Sequence, residues 1–343
     1  MPTGLADAGL LLSFLVPLAV VLLALPQFMK YLARIGRVSK DVHKQTDSRV
    51  PEPVGPILVV AAVAGELVAY VAFGSLVPIA VMGTAAVAFA VGLVDDIYVL
   101  GGRVKPLLLL LAAAPLVITE AVQPTVYSSS VTFPILGPTA AHLSIYTILA
   151  VAAFPVVANA FNMMDSFNGE ISWFTLLTSL SVLAGVTLRA LYTSGFSLAR
   201  VSSTLPLVAV AAGFLVFNRY PSKAFDGDSG ALFMGAMFAC LAITGGVEIA
   251  AIVAIVPAIL NSFYTLSSVR GFVERRRMAS RPTSLGADGK IYASPESNAP
   301  ITLVRLILLA GPRTEKELVR DIVVLTAVSC ALSFVISVLT WVL

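Results

Sequence analysis

The sequence predicts an all-α integral membrane protein of about ten transmembrane helices, N-out and C-out, with an active-site cleft at the cytoplasmic face. Hydrophobic residues make up 58% of the 343 and charged residues only 12%, with a mean hydropathy of +0.94, a composition that would aggregate in water but suits a bilayer. Apolar runs long enough to cross about 30 Å of hydrocarbon recur along the whole chain. Of the 22 Lys and Arg, 20 fall in alternate segments between those runs, the asymmetry expected when basic loops remain cytoplasmic.

In order, the runs fall at 8–29, 54–73, 76–94, 106–121, 142–161, 170–189, 203–218, 229–246, 247–267 and 321–343. The first reads as a retained helix, because no basic n-region or small-x-small cleavage site marks it as a leader and Lys30 and Arg34 follow it. The eighth and ninth are divided on length alone, near Gly245, Gly246 and Glu248. Segments after the odd-numbered runs hold 6, 2, 0, 2 and 10 basic residues, leaving only Arg189 and Arg200 on the other face. One missed or invented span would scramble that pattern.

Between the fourth and fifth runs, "PTVYSSSVTFPILGP" alternates as an outer hairpin does. Pro115, Pro155 and Pro257 read as kinks. Residues 268–320 form the largest polar stretch, too small for a separate domain, so 1–343 reads as one polytopic domain with 268–320 as its recognition loop. Within it "TLVRLILLAG" reads as an interfacial helix, and Thr314 with Glu317 forms a capping-box pattern that starts the last helix.

Several function classes are excluded or disfavoured. Cys240 and Cys330 lie in apolar runs, so no disulfide framework exists, and His43 and His142 are too few for a His-rich zinc site. The loops lack the aromatic and basic interleaving of a nucleic-acid surface, so the membrane is the expected partner and nucleic acid is not. A secondary transporter is the alternative class, but its charges would sit near the bilayer midplane, whereas here they line one face. Glu66, Glu120 and Glu248 stand apart from that face and read as structural.

Nine acids flank runs on the basic face: Asp41, Asp47, Glu52, Asp95, Asp96, Asp165, Glu170, Asp226 and Asp228. Adjacent Asp95 and Asp96 would lie about 100° apart on a helix end, so one can face a cavity while the other supports it. Asn159, Asn162, Asp165 and Asn168 form one oxygen-rich stripe, suited to Mg²⁺, Mn²⁺ or nucleobase edges. Gly227 and Gly230 bracket Asp228 at a helix start whose amides could face an anion. Lys105, Lys223 and an arginine-rich run supply positive charge for phosphates. Acids for a divalent cation, bases for phosphates and a membrane setting point to phosphoryl transfer involving a lipid.

Four motifs in order resemble the polyprenyl-phosphate N-acetylhexosamine-1-phosphate transferases, most closely their eukaryotic and archaeal branch, which makes dolichyl-diphosphate N-acetylglucosamine. They are "DVHKQTDSRVPEPVG", Asp95-Asp96 with Lys105, "NAFNMMDSFNG" and "FNRYPSKAFDGDSG". The resemblance implies ten spans and a cytoplasmic active site, in the cell membrane of an archaeon or bacterium or otherwise in the endoplasmic reticulum. It implies a UDP-N-acetylhexosamine and a polyprenyl or dolichyl phosphate as substrates, and it allows a homodimer. Asp228 would hold Mg²⁺ (or Mn²⁺) with Asn162, Asp95 and Asp96 would serve catalysis, and Gly227 would let the backbone approach the diphosphate. Lys105, Arg275, Arg277 and Arg281 would hold phosphates, while Asp165 and Asn168 face uridine. Lys44, Glu52 and Asn159 complete the expected substrate contacts. The last loop, "VERRRMASRPTSLG", differs from relatives in lacking His.

Overall fold

The computed structural model describes residues 3–128, 130–140, 143–193, 197–271 and 280–342. Their order is α1 (Thr3–Arg34), β1 (Val38–Lys40), β2 (Arg49–Pro51), α2 (Gly55–Phe73), α3 (Val77–Tyr98), α4 (Val104–Leu109), a 3₁₀ turn (Leu110–Ala113) and α5 (Ala114–Val122). There follow β3 (Ser130–Phe133), β4 (Gly137–Ala140), α6 (Leu143–Met163), α7 (Glu170–Tyr192), α8 (Leu198–Asn218), α9 (Gly227–Gly245), α10 (Glu248–Ala254) and α11 (Val256–Ser268). The chain closes with β5 (Thr283–Leu285), β6 (Ile291–Ala293), α12 (Leu303–Leu308) and α13 (Glu315–Trp341).

Nine helical spans among the described residues are long and apolar enough to cross a membrane, and α10 with α11 forms a tenth bent by 65°. The bend falls where Pro257 enters the first turn of α11, since proline has no N–H to continue the ladder from α10. The fourth span is one path broken by the 3₁₀ turn, with Pro115 in the first turn of α5. The division between eighth and ninth spans lies at Gly246, whose φ of 60° ends α9 in the left-handed region. The expected outer hairpin is present as β3–β4, and the expected capping box joins Thr314 and Glu317 at the head of α13. Two further hairpins, β1–β2 and β5–β6, rise from the first and last loops of the basic face.

The helix at the centre is α9, packed against α2, α3, α6, α7 and α8. It is apolar or small on all sides, as a helix enclosed by others must be. Every residue in it except Asp228 is buried. At its head α3 comes so close that a Cβ on Gly92 would lie 2.5 Å from the Ser229 Cα. At its tail Arg189 Nη1 and Arg200 Nε donate to the carbonyls of Gly245 and Thr244, at 2.8 and 2.9 Å. The two arginines outside the charge pattern therefore satisfy the open carbonyls of α9 and oppose the negative end of its dipole.

Candidate active site

Beyond the head of α9 a cavity of about 1610 Å³ opens between α3, α4, α6 and the loops of the basic face. Its wall contains Glu52, Asp95, Asp96, Lys105, Asn159, Asn162, Asp165, Asn168, Asp228 and Arg281. Residues up to 229 positions apart in the chain, from Glu52 to Arg281, are thus brought to one space. Lys44 and Gly227 are not part of that wall. Arg275 and Arg277 lie outside the described residues.

At the last turn of α3 the two adjacent aspartates diverge. Asp96 accepts the backbone N–H groups of Asp228 and Ser229, at 2.8 and 3.0 Å. A helix start needs partners for its first N–H groups, and here a protein carboxylate supplies them. The expectation that these amides face a bound anion is corrected accordingly, because Asp96 already consumes them. Asp95 is buried; its Oδ1 accepts the Leu100 N–H and its Oδ2 pairs with Lys105 Nζ. Lys105 also lies 3.3 Å from Asp228 Oδ2, and Asn162 Nδ2 donates to Asp228 Oδ1. Helices α3, α4, α6 and α9 each contribute one polar side chain to this knot. The side chain of Asp228 keeps 34% of its surface accessible, toward the cavity.

Gly227 has a different task from the one expected. Its φ is +72°, and a Cβ there would stand 2.6 Å from Pro53 Cβ and 3.0 Å from both Asp96 oxygens. Glycine is required so that Asp96 can reach the helix head. Asn159 donates its amide to the Pro155 carbonyl one turn back in α6, at 2.7 Å.

Lys44 is drawn elsewhere. Its ammonium pairs with Glu315 Oε2 at 2.5 Å, lies 3.8 Å from Asp41 Oδ2 and sits 3.6 Å from the centre of the Tyr220 ring. Asn168 joins the same cluster: Nδ2 donates to Asp41 Oδ2 and the backbone N–H to Glu315 Oε1, both at 2.9 Å. His43 stacks on Phe167 at 4.3 Å. The cluster ties the first loop, the turn before α7, the loop before α9 and the head of α13 together. Asp41, His43 and Glu315 bring potential ligand atoms within 4.8 Å of one another, so this acidic group could hold a metal, but the Lys44 ammonium already supplies its positive charge.

Sequence reasoning assigned no role to Glu315, Asp41 or Asp226. Glu315 is two residues from the capping Glu317, and nothing local distinguishes it from a solvated helix-head acid. Asp226 is fully buried at the head of α9, and neither oxygen has a hydrogen-bond partner among the described residues. Burial, with nearby Asp165 adding to it, pushes its carboxyl well above the usual range.

Comparison with known proteins bears directly on this arrangement. The model of glycosyl transferase family 4 matches residues 78–246, the stretch that carries Asp95, Asp96, Lys105, Asn162 and Asp228. A protein of Methanocaldococcus jannaschii provisionally named a glycosyltransferase is 30% identical over 280 residues, 81% of each chain. The chain belongs to glycosyl transferase family 4. A Saccharolobus solfataricus protein is 26% identical over 294 residues, 82% of each chain, and carries the provisional name UDP-N-acetylglucosamine–dolichyl-phosphate N-acetylglucosaminephosphotransferase. The Dictyostelium discoideum protein of that name, without the qualifier, is 28% identical over 250 residues, 66% of this chain and 60% of its own. This family 4 member therefore matches archaeal and eukaryotic proteins over about two thirds or more of its length.

Proposed function

We propose that this chain transfers an N-acetylhexosamine 1-phosphate, N-acetylglucosamine 1-phosphate foremost, from its UDP-sugar to a polyprenyl phosphate such as dolichyl phosphate, with release of UMP. The observation that supports it best is the Asp95–Lys105–Asp228–Asn162 knot on a cavity that also has an apolar wall from Leu110, Ala152 and Val156. A polar donor and a lipid acceptor can meet there, and the names of the family relatives point to the same substrates. The basic loops beside this cavity support a cytoplasmic position for it.

The donor set fits a hard divalent cation, since it consists of carboxylates and an amide with no thiolate or imidazole. Asp228 and Asn162 would hold it, the latter after its amide turns to present oxygen. Bound there, Mg²⁺ or Mn²⁺ supplies charge neutralisation for the diphosphate of the donor. The chain's own groups do the rest. Lys105 and Arg281 bind phosphate oxygens, and Asp95 orients the lipid phosphate and takes its proton if one is present. A lipid phosphate oxygen attacks the β-phosphorus in line; the bond from that phosphorus to the bridging oxygen breaks, and UMP leaves with the electron pair. The lipid phosphate is already an anionic nucleophile, so positioning matters more than activation. Asp165 and Asn168 lie on the wall where the uridine end would rest.

Purified protein should release UMP from UDP-N-acetylglucosamine only when undecaprenyl or dolichyl phosphate is added, with a lipid diphosphate sugar as co-product. Absence of UMP with a panel of UDP-sugars and both lipids, from monodisperse protein, would refute the proposal. Stoichiometric UMP release without lipid would refute direct attack in favour of a covalent enzyme intermediate.

A further inference from the structure

Each carboxylate oxygen in the knot already has a protein partner. Both oxygens of Asp96 accept backbone amides. Asp95 gives one oxygen to Leu100 and the other to Lys105. Asp228 gives one to Asn162 and the other to Lys105. A divalent cation at Asp228 would stand beside the Lys105 ammonium, 3.3 Å from Asp228 Oδ2, so the two positive charges compete for the same carboxylates. Lys105 stands in the first turn of the short helix α4, its side chain lines the cavity, and its ammonium pairs with both carboxylates. Lys44, by contrast, is also held against an aromatic ring.

We propose that Lys105 competes with the divalent cation for the Asp95–Asp228 pair, so that the cation binds tightly only after a nucleotide diphosphate has drawn the ammonium away. This rests on the reading of Asp228 as cation ligand given above. In the nucleotide-free protein the ammonium compensates two neighbouring acids whose mutual repulsion would otherwise destabilise the fold. The diphosphate offers Lys105 anionic oxygens of its own, and the vacated carboxylates then face the cation. Nucleotide and cation would bind cooperatively, each tightening the other by the same factor because the coupling is reciprocal. The device also keeps a nucleotide-free site from holding a cation it cannot use.

The test uses Mn²⁺ itself, read as loss of the free-ion paramagnetic resonance signal during titration of the purified full chain. Without nucleotide, Lys105→Met should bind Mn²⁺ at least about tenfold tighter than the unaltered protein, since one positive charge next to the ligands is gone. Added UDP should tighten Mn²⁺ at least about tenfold in the unaltered protein and under about threefold in Lys105→Met. Lys105→Gln provides the same comparison if the methionine variant fails to fold. Unchanged or weaker Mn²⁺ binding in the folded Lys105 variants would overturn the inference, as would equal tightening by UDP in all forms. Mn²⁺ binding by Asp228→Asn as tight as in Lys105→Met would also overturn it, by placing the cation elsewhere. The nucleotide-free comparison reads this inference alone, whereas UMP release from the unaltered protein reads the proposed reaction.

Discussion

Replacing Asp96 by Asn separates a carboxylate that reacts from one that holds. Asp96 accepts two backbone N–H groups, from Asp228 at 2.8 Å and Ser229 at 3.0 Å. Each is a charge-assisted bond, worth roughly 1.5–3 kcal/mol net, at the positive end of a helix dipole. An asparagine can accept with its oxygen only, and its NH₂ would face the second N–H donor. The variant therefore loses one bond and gains a donor–donor contact, about 2–3 kcal/mol in all. For a chain of 343 residues the unfolding entropy is about 0.7 kcal/mol per degree, so the midpoint should fall by about 3–4 °C. Asp228 belongs to the same helix turn, so its displacement should lower UMP release by about tenfold or more. Thermal unfolding in detergent at one fixed scan rate and a UMP-release assay on the same preparation check both effects. An unchanged midpoint accompanied by loss of turnover would refute the capping role and make Asp96 a chemical participant. Unchanged values of both would show that the α9 head does not depend on this carboxylate.

Asp228→Asn keeps shape and removes charge; turnover should fall at least about a hundredfold, on the order of 3 kcal/mol of transition-state stabilisation, and a loss under about tenfold would move the cation site. EDTA should abolish UMP release, with Mg²⁺ or Mn²⁺ restoring it, and persistent turnover in EDTA would remove the metal from the reaction. Glu315→Gln leaves Lys44 with Asp41 as its one charged partner in the cluster, at a cost of about 1–2 kcal/mol after allowing for partial solvent access; the unfolding midpoint should drop, and Glu315→Gln combined with Lys44→Met should recover part of it. Asp226 has a raised folded pKa, so its neutral form favours folding at pH near 4 and the cost of ionising it grows as pH rises through that raised value. Asp226→Asn should therefore gain about 1–3 °C over the unaltered protein at pH 8 and less at pH 5, without added divalent cation; a pH-independent difference would mean that Asp226 is ionised throughout.

Legibility followed the physics of each feature. The spans could be drawn because hydrocarbon sets a minimum run length, and the bend at Pro257 and the end of α9 at Gly246 follow from single-residue backbone chemistry. That Asp95 and Asp96 meet different partners was legible as well, since helix geometry alone turns adjacent residues apart. The hairpins β1–β2 and β5–β6 were not, because strands of three residues carry too little alternation to register as a period. Nor was the destination of Lys44, whose partner Glu315 is 271 residues away. A lysine beside acids in a basic loop looks the same whether it meets a phosphate or another helix. Gly227 was recognised as special for the wrong neighbour: the constraint comes from Pro53 and Asp96.

The single residue of α9 that is not fully buried is the acid on which the proposed chemistry depends, and this follows from how the helix is held. A helix of 19 residues is about 28 Å long, enough to reach from one membrane face to the other. Asp96 fixes its head through two amides, and Arg189 and Arg200 fix its tail through two carbonyls. Between them, buried small and apolar side chains leave no room for sliding. The position of Asp228 is therefore set by a rod clamped at both ends. That arrangement accounts for Arg189 and Arg200 lying apart from the other 20 basic residues: each donates to a carbonyl at the tail of α9, so the charges stand there whatever the membrane's preference.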